Sequence, residues 1–192
     1  MKKLFFPMLY VAFLIPVLVF GQEALKYEDI IDVQGVSKEE LFLRAKFWFA
    51  ESYNGYNALF QLENNLQLED EENGVIIGHA AMKYEPSYLV GNQMTRGIIT
   101  YMIKLSTKEG RYRYEITDFL HDPYAFAGNT LQKYSAGQIT NDEENPNPTV
   151  MKGWSNKVWK DIKSQIESEV SSLVSSLASE MNNPVESEED DW

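Results

Sequence analysis

The chain has 192 residues, of which 44% are hydrophobic and 24% charged. That balance fits one globular domain with appendages and excludes a wholly disordered chain. It contains no cysteine, which excludes disulfides, thiolate nucleophiles, cysteine-ligated zinc and a lipidated cysteine. The formal net charge is −12, so the protein repels nucleic acid and anionic lipid at long range. Solubility is the simplest use of that charge.

The chain opens MKKLFFPMLYVAFLIPVLVFGQ. Lys2 and Lys3 form a positive start, Leu4 to Phe20 is a charge-free apolar run, and Val19 and Gly21 precede Gln22 at the spacing of a cleavage site. Residues 1–21 are therefore expected to be a secretory signal peptide. The run is short for a membrane span and is broken by Pro7 and Pro16. Cleavage near Gly21 predicts a periplasmic or secreted protein with no stable membrane anchor. Loss of Lys2 and Lys3 takes the formal charge from −12 to −14. Without disulfides, such a fold must hold by core packing.

Residues 22–122 read as the main domain. YEDIIDV at 27–33 predicts a short strand. Ser37-Lys38-Glu39-Glu40 fits a capping box, in which the Ser37 hydroxyl accepts from the Glu40 amide. A helix from about Lys38 to Tyr53 follows. Leu41, Ala45, Trp48 and Phe49 form one stripe on it, and Phe42 widens that stripe. The aromatic run Phe47-Trp48-Phe49 is thus assigned to a core face, while Lys38, Arg44 and Lys46 fall elsewhere. Asn54-Gly55 predicts the helix stop.

Leu66 and Leu68 alternate with Gln67 and Glu69, and Asn73-Gly74 predicts a type I′ hairpin into a strand from Val75 to Tyr84. Pro86 to Asn92 reads as a loop. Ile98 to Ser106 and Arg111 to Phe119 alternate as strands joined at Glu109-Gly110. One face collects Ile99, Tyr101, Ile103, Leu105, Tyr112, Tyr114 and Ile116. The other carries Thr100, Met102, Lys104, Arg113, Glu115 and Thr117.

Residues 123–152 show no regular pattern and are expected to be a long irregular loop. From 153 to 183, apolar residues recur at steps of three and four from Trp159 to Met181, predicting an amphipathic helix with a serine-rich outer face. Its inner half is expected on the sheet, its outer half there or on a partner. The tail, 184–192, is acidic.

Strand, helix, four strands in a meander, loop and helix make an α+β domain. Three phrases sharpen this: VSKEELFLRAKFWFAESY at 36–53, ENGVIIGHAAM at 72–82 and GIITYMIKLSTKEGRYRYEITDF at 97–119. Together with WKDIKSQIESEVSSL at 159–173, they resemble an exported bacterial family of unknown function described as having a TBP-like fold, TBP being the TATA-box-binding protein. The resemblance spans roughly 27–122. It implies a curved antiparallel sheet of about five strands in the order β-α-β-β-β-β-α, with helices on one face. It brings no catalytic motif.

The residues that invite chemistry are few. His79 stands alone mid-strand, with no motif around it. His121-Asp122, with Asp118 nearby, ends the last strand and is the one conceivable acid–base pair. No nucleophile elbow accompanies it. In the run from Glu69 to Gly74, placing Gly74 at the sixth position of a calcium loop puts Ala80 where a bidentate carboxylate is needed. A solvated hairpin tip fits that run better, and Asp142 to Glu144 reads as linker. No catalytic, cofactor-binding or metal residue is therefore assigned. The expected function is a non-catalytic binding or interaction module of the bacterial cell envelope. Its partner would be an unknown envelope protein or a small polar ligand, with no nucleic acid and no cofactor. The alternative is a hydrolase or metal-dependent enzyme with a site near the end of the last strand.

Overall fold

The computed structural model describes residues 23–53, 66–123 and 132–183. The expected signal peptide, the Asn54-Gly55 helix stop and the acidic tail at 184–192 lie outside these residues. In chain order the elements are β1 (Tyr27–Asp32), α1 (Lys38–Tyr53), β2 (Leu66–Asp70), β3 (Val75–Tyr84), α2 (Asn92–Thr95), β4 (Gly97–Lys108), β5 (Arg111–Asp122), β6 (Gly137–Gln138) and α3 (Lys152–Asn182). The strands form one antiparallel sheet in the order β1-β5-β4-β3-β2, with β6 added on β5. This is the expected α+β, TBP-like architecture, with one short strand more than the alternation had revealed.

That strand lies in the stretch expected to be irregular. Leu120 pairs with Gln138 and His121 with Gly137, and an isolated bridge joins Ala24 to Thr140. Two residues are too few for a periodic signal, so the pairing was invisible in the sequence. The following loop is tied to α3 by side chains. Lys163 Nζ donates to the carbonyls of Thr140, Asn141 and Asp142, and Trp159 Nε1 donates to Asp142 O at 2.9 Å. Asn145 is buried and reaches the Tyr134 hydroxyl, which also contacts Ser155.

Helix α1 begins as its sequence requires. Ser37 Oγ accepts from the Glu40 amide at 3.2 Å, and Glu39 and Glu40 occupy the first turn, where the helix dipole favours negative charge. Leu41, Phe42, Ala45, Trp48 and Phe49 are buried against the sheet. Phe47, one 100° step out of phase, is 45% exposed. Each fully buried aromatic on that stripe contributes about 1.5–3 kcal/mol of transfer free energy. The opposing sheet face supplies Ile76, Ile99, Tyr101, Ile103, Leu105, Tyr112 and Ile116, all nearly solvent-free.

Helix α3 packs along its whole length, since Val158, Trp159, Ile162, Ile166, Val170, Leu177 and Met181 are all buried. Its outer half therefore covers the domain itself. The reason lies on α1. Trp48 Nε1 donates to Ser176 Oγ at 3.1 Å, and Arg44 Nη1 donates to Met181 O at 2.6 Å. Arg44, placed off the core stripe by periodicity, is buried because it supplies the cation that the last turn of α3 lacks.

Two local expectations are corrected. The β2–β3 connection is a four-residue loop closed by the Asp70–Val75 pair, and Gly74 has φ +66° while Asn73 stays at negative φ. The Asp70 carboxylate holds Asn73 by its amide and side chain, which favours this wider turn over type I′. A Cβ at Gly74 would sit 2.7 Å from the Thr107 carbonyl oxygen, so glycine is required twice over. A register shift between Leu66 and Leu68 also puts them on opposite faces: Leu66 pairs with Gly78, Leu68 with Ile77.

Strand β5 runs three residues past its predicted end because of a bulge. Thr100 pairs with Leu120, but Met102 pairs with Thr117. The extra residue is accommodated with Asp118 at φ +59°, a conformation that Asp tolerates better than most side chains. Without it, the phase that buries Tyr112, Tyr114 and Ile116 would bury Asp118. With it, Phe119 and His121 turn inward.

Candidate functional site

The bulge decides the fate of His121. Its ring is 1% exposed and lies edge-on to Tyr84, with ring centroids 5.2 Å apart. The Ala136 amide donates to Nδ1 at 3.0 Å, so Nε2 carries the proton and donates to the Thr95 carbonyl at 2.8 Å. Burial pushes the imidazole pKa down, only partly opposed by the Thr95 bond and the Asp122 charge. Both ring nitrogens are engaged by backbone. Asp122, the next residue of the strand, points to the other face and is exposed, as is Asp118. The conceivable His121–Asp122 acid–base pair is therefore not assembled. His121 clasps the segments before β4 and β6 to the end of β5.

The acidic runs are also accounted for locally. Asp70 is held below the usual carboxylate range by its bonds from Asn73, the side-chain bond first, and Glu69 pairs with Lys46 at 2.7 Å. Asp142 accepts from the Thr140 hydroxyl, and Glu144 is held low by Lys152 at 2.7 Å. No group of three metal-ligating side chains comes together among the described residues.

Periodicity missed a polar knot under the β3–β4 connection. Asp161, on the inner flank of α3, accepts from the Tyr84 hydroxyl at 2.7 Å and from Ser87 and Gln165. Burial, and then the Asp161 bond, push the Tyr84 phenol far up. Deeper along α3, burial raises Glu169, beside the Tyr101 hydroxyl at 3.5 Å. These groups are locked between sheet and helix, where they fasten layers together.

The opposite face of the sheet is different. Both long helices lie on the inner face, and the outer face presents side chains to solvent. Across it run Leu68, Ile77, Lys104, Glu115 and Glu28 in one cross-strand row, and Val75, Ser106, Arg113 and Ile30 in the next. His79 is on this face, opposite Met102. Ile30, Leu68 and Leu120 are 56%, 45% and 46% exposed. Lys104 pairs with Glu115 at 3.4 Å, and Arg113 bridges Glu28 and Glu115. The face predicted to carry Thr100, Met102, Lys104, Arg113, Glu115 and Thr117 is thus the outer one.

A family model described as "Domain of unknown function (DUF4468) with TBP-like fold" matches residues 27–122. The chain belongs to this family. Among solved structures, it is similar to a TBP-like protein from Parabacteroides distasonis, at 19% identity and a TM-score of 0.53, over 81% of this chain and 93% of that one. It is also similar to a DUF4468 family protein from Bacteroides ovatus, at 16% identity and a TM-score of 0.54, over 85% and 90%. At such identity the likeness establishes the fold alone. No curated protein matches the chain. The family's description gives a fold and leaves the function unknown, so it indicates no catalytic activity.

Proposed function

We propose that this DUF4468 protein is an exported, non-catalytic binding module whose ligand surface is the outer face of the sheet. One observation carries the reading: among the described residues, a five-stranded face with exposed aliphatic side chains set among charged pairs has no helix packed on it. A surface that mixes apolar contact area with oriented polar groups is built for recognition. The enzyme alternative rested on His121, whose ring is buried with both nitrogens bonded to backbone. Export is supported by the charged start, the apolar run and the small-residue site at 19–21. The TBP-like fold brings no DNA binding with it. The face lacks a row of apolar wedges, and the charge of −12 opposes approach to a duplex. A small polar ligand or an envelope protein fits it better.

The test places a photoreactive side chain at Met102, at the centre of this face, and at Lys160, on the exposed side of α3, in protein expressed in its own cell. Adducts from position 102 alone are expected. Equal adducts from both positions, or none from 102, overturn the reading, as does tight, salt-dependent binding of duplex DNA lost on Lys104→Glu.

A further inference from the structure

We propose that a groove at the β4–β5 turn end of the outer face binds a small ligand bearing phosphate or carboxylate groups. This deepens the binding-module reading and rests on it. The groove has a volume of about 360 Å³ and is lined by Lys104, Lys108, Arg111 and Arg113, with Glu115 as its one carboxylate. Such a volume suits a small molecule rather than a polymer. In a chain of net charge −12, four of the 17 cations meet in one concavity.

The pairing within that cluster is uneven. Lys104 and Arg113 are neutralised by Glu115 and Glu28. Lys108 and Arg111 form no ion pair among the described residues, although Asp32 is the register neighbour of Arg111 on β1. Counting Glu28 and Asp32 with Glu115, the cations still outnumber the carboxylates by four to three. Lys108 and Arg111 also stand directly opposite one another across the hairpin. Like charges in that position destabilise a sheet. An anion seated between them converts the repulsion into two charge-assisted contacts.

The frame around the pair is firm. The Val33 amide donates to Gly110 O at 2.8 Å, and the Gly110 amide donates to Val36 O at 3.0 Å, which clamps the hairpin tip to the connection between β1 and α1. The Glu109 carboxylate is engaged with the Lys38 amide at the start of α1. Ile30 and Val75 give the groove apolar walls, and Ser106 lies between the cations. The ligand chemistry that fits is an anionic head on a compact body.

The test titrates mature protein with inorganic pyrophosphate and with citrate, against sodium chloride at matched ionic strength. Amide shifts and the melting temperature are both followed. Saturable shifts centred on Ser106, Lys108, Arg111 and Arg113, with a rise in melting temperature beyond the chloride control, are expected. A stronger response to pyrophosphate assigns a phosphate ligand, and a stronger response to citrate assigns a carboxylate. The Lys108→Gln/Arg111→Gln variant should lose at least tenfold in affinity while melting no lower than wild type, since a repulsion has been removed. Shifts scattered over surface lysines, or an equal rise in the variant, overturn the proposal. If these titrations fail while crosslinking from Met102 succeeds, the groove is wrong and the outer-face reading stands; if both fail, the reading itself falls.

Discussion

Arg44 offers the sharpest test of how the two long helices are joined. Replacing it with Met removes the guanidinium while keeping an unbranched apolar stem of similar reach. The lost contact is a 2.6 Å hydrogen bond from a charged donor to Met181 O, in a side chain only 6% exposed. Bonds to charged groups are worth about 1.5–3 kcal/mol, and removal leaves a carbonyl of the last α3 turn unpaired. The second loss is the i,i+4 pair with Glu40, whose side chain is 34% exposed. Solvent screening limits that pair to about 0.3–0.5 kcal/mol. The sum is about 2–3 kcal/mol, or roughly 5–10 °C in melting temperature for a chain of this size. Arg44→Lys keeps the charge but loses the fork and should fall between the two. Urea unfolding followed by circular dichroism measures the difference, and hydrogen exchange should quicken first in the last turn of α3. A stability change below about 0.5 kcal/mol for Arg44→Met would refute the helix-joining role, since that is the range of ordinary surface substitutions.

The burial that lowers the His121 pKa makes stability depend on pH. The unfolded chain binds the proton more readily below the ordinary value of about 6.5, so this contribution is complete above that pH and is lost as pH falls toward the folded value. Glu169, raised by burial, acts in the opposite sense, adding stability as pH falls toward its ordinary value. Comparing urea midpoints of wild type and His121→Gln at pH 7, 6 and 5 isolates the histidine, and parallel profiles would count against it. At the bulge, Asp118→Gly should stay near wild type, because glycine accepts positive φ freely, whereas Asp118→Val should lose about 1–2 kcal/mol of stability. Equal melting temperatures for the two variants would contradict a strained backbone there.

Local repetition in the sequence determined α1, the long strands and the two-sided character of the sheet. The stripe Leu41, Ala45, Trp48, Phe49 and the alternations of β4 and β5 need no knowledge of a partner, because periods of 3.6 and 2 are written along the chain itself. The sequence also shows that no catalytic motif surrounds His79 or His121. Tertiary structure decided what depends on residues far apart. Arg44 looked like a surface cation until α3 brought Met181 to it, 137 residues away. His121 and Phe119 changed faces through one inserted residue, whose cost at Asp118 is met by the inward packing it permits. The segment from 132 to 151 has too few apolar repeats to predict, yet Lys163, Trp159 and Asn145 fasten it through side-chain hydrogen bonds. The groove at Lys108 and Arg111 belongs to this second class as well. In the sequence they flank an ordinary Glu109-Gly110 turn, and only the register of β4 against β5 sets them face to face, beside Arg113 on one surface.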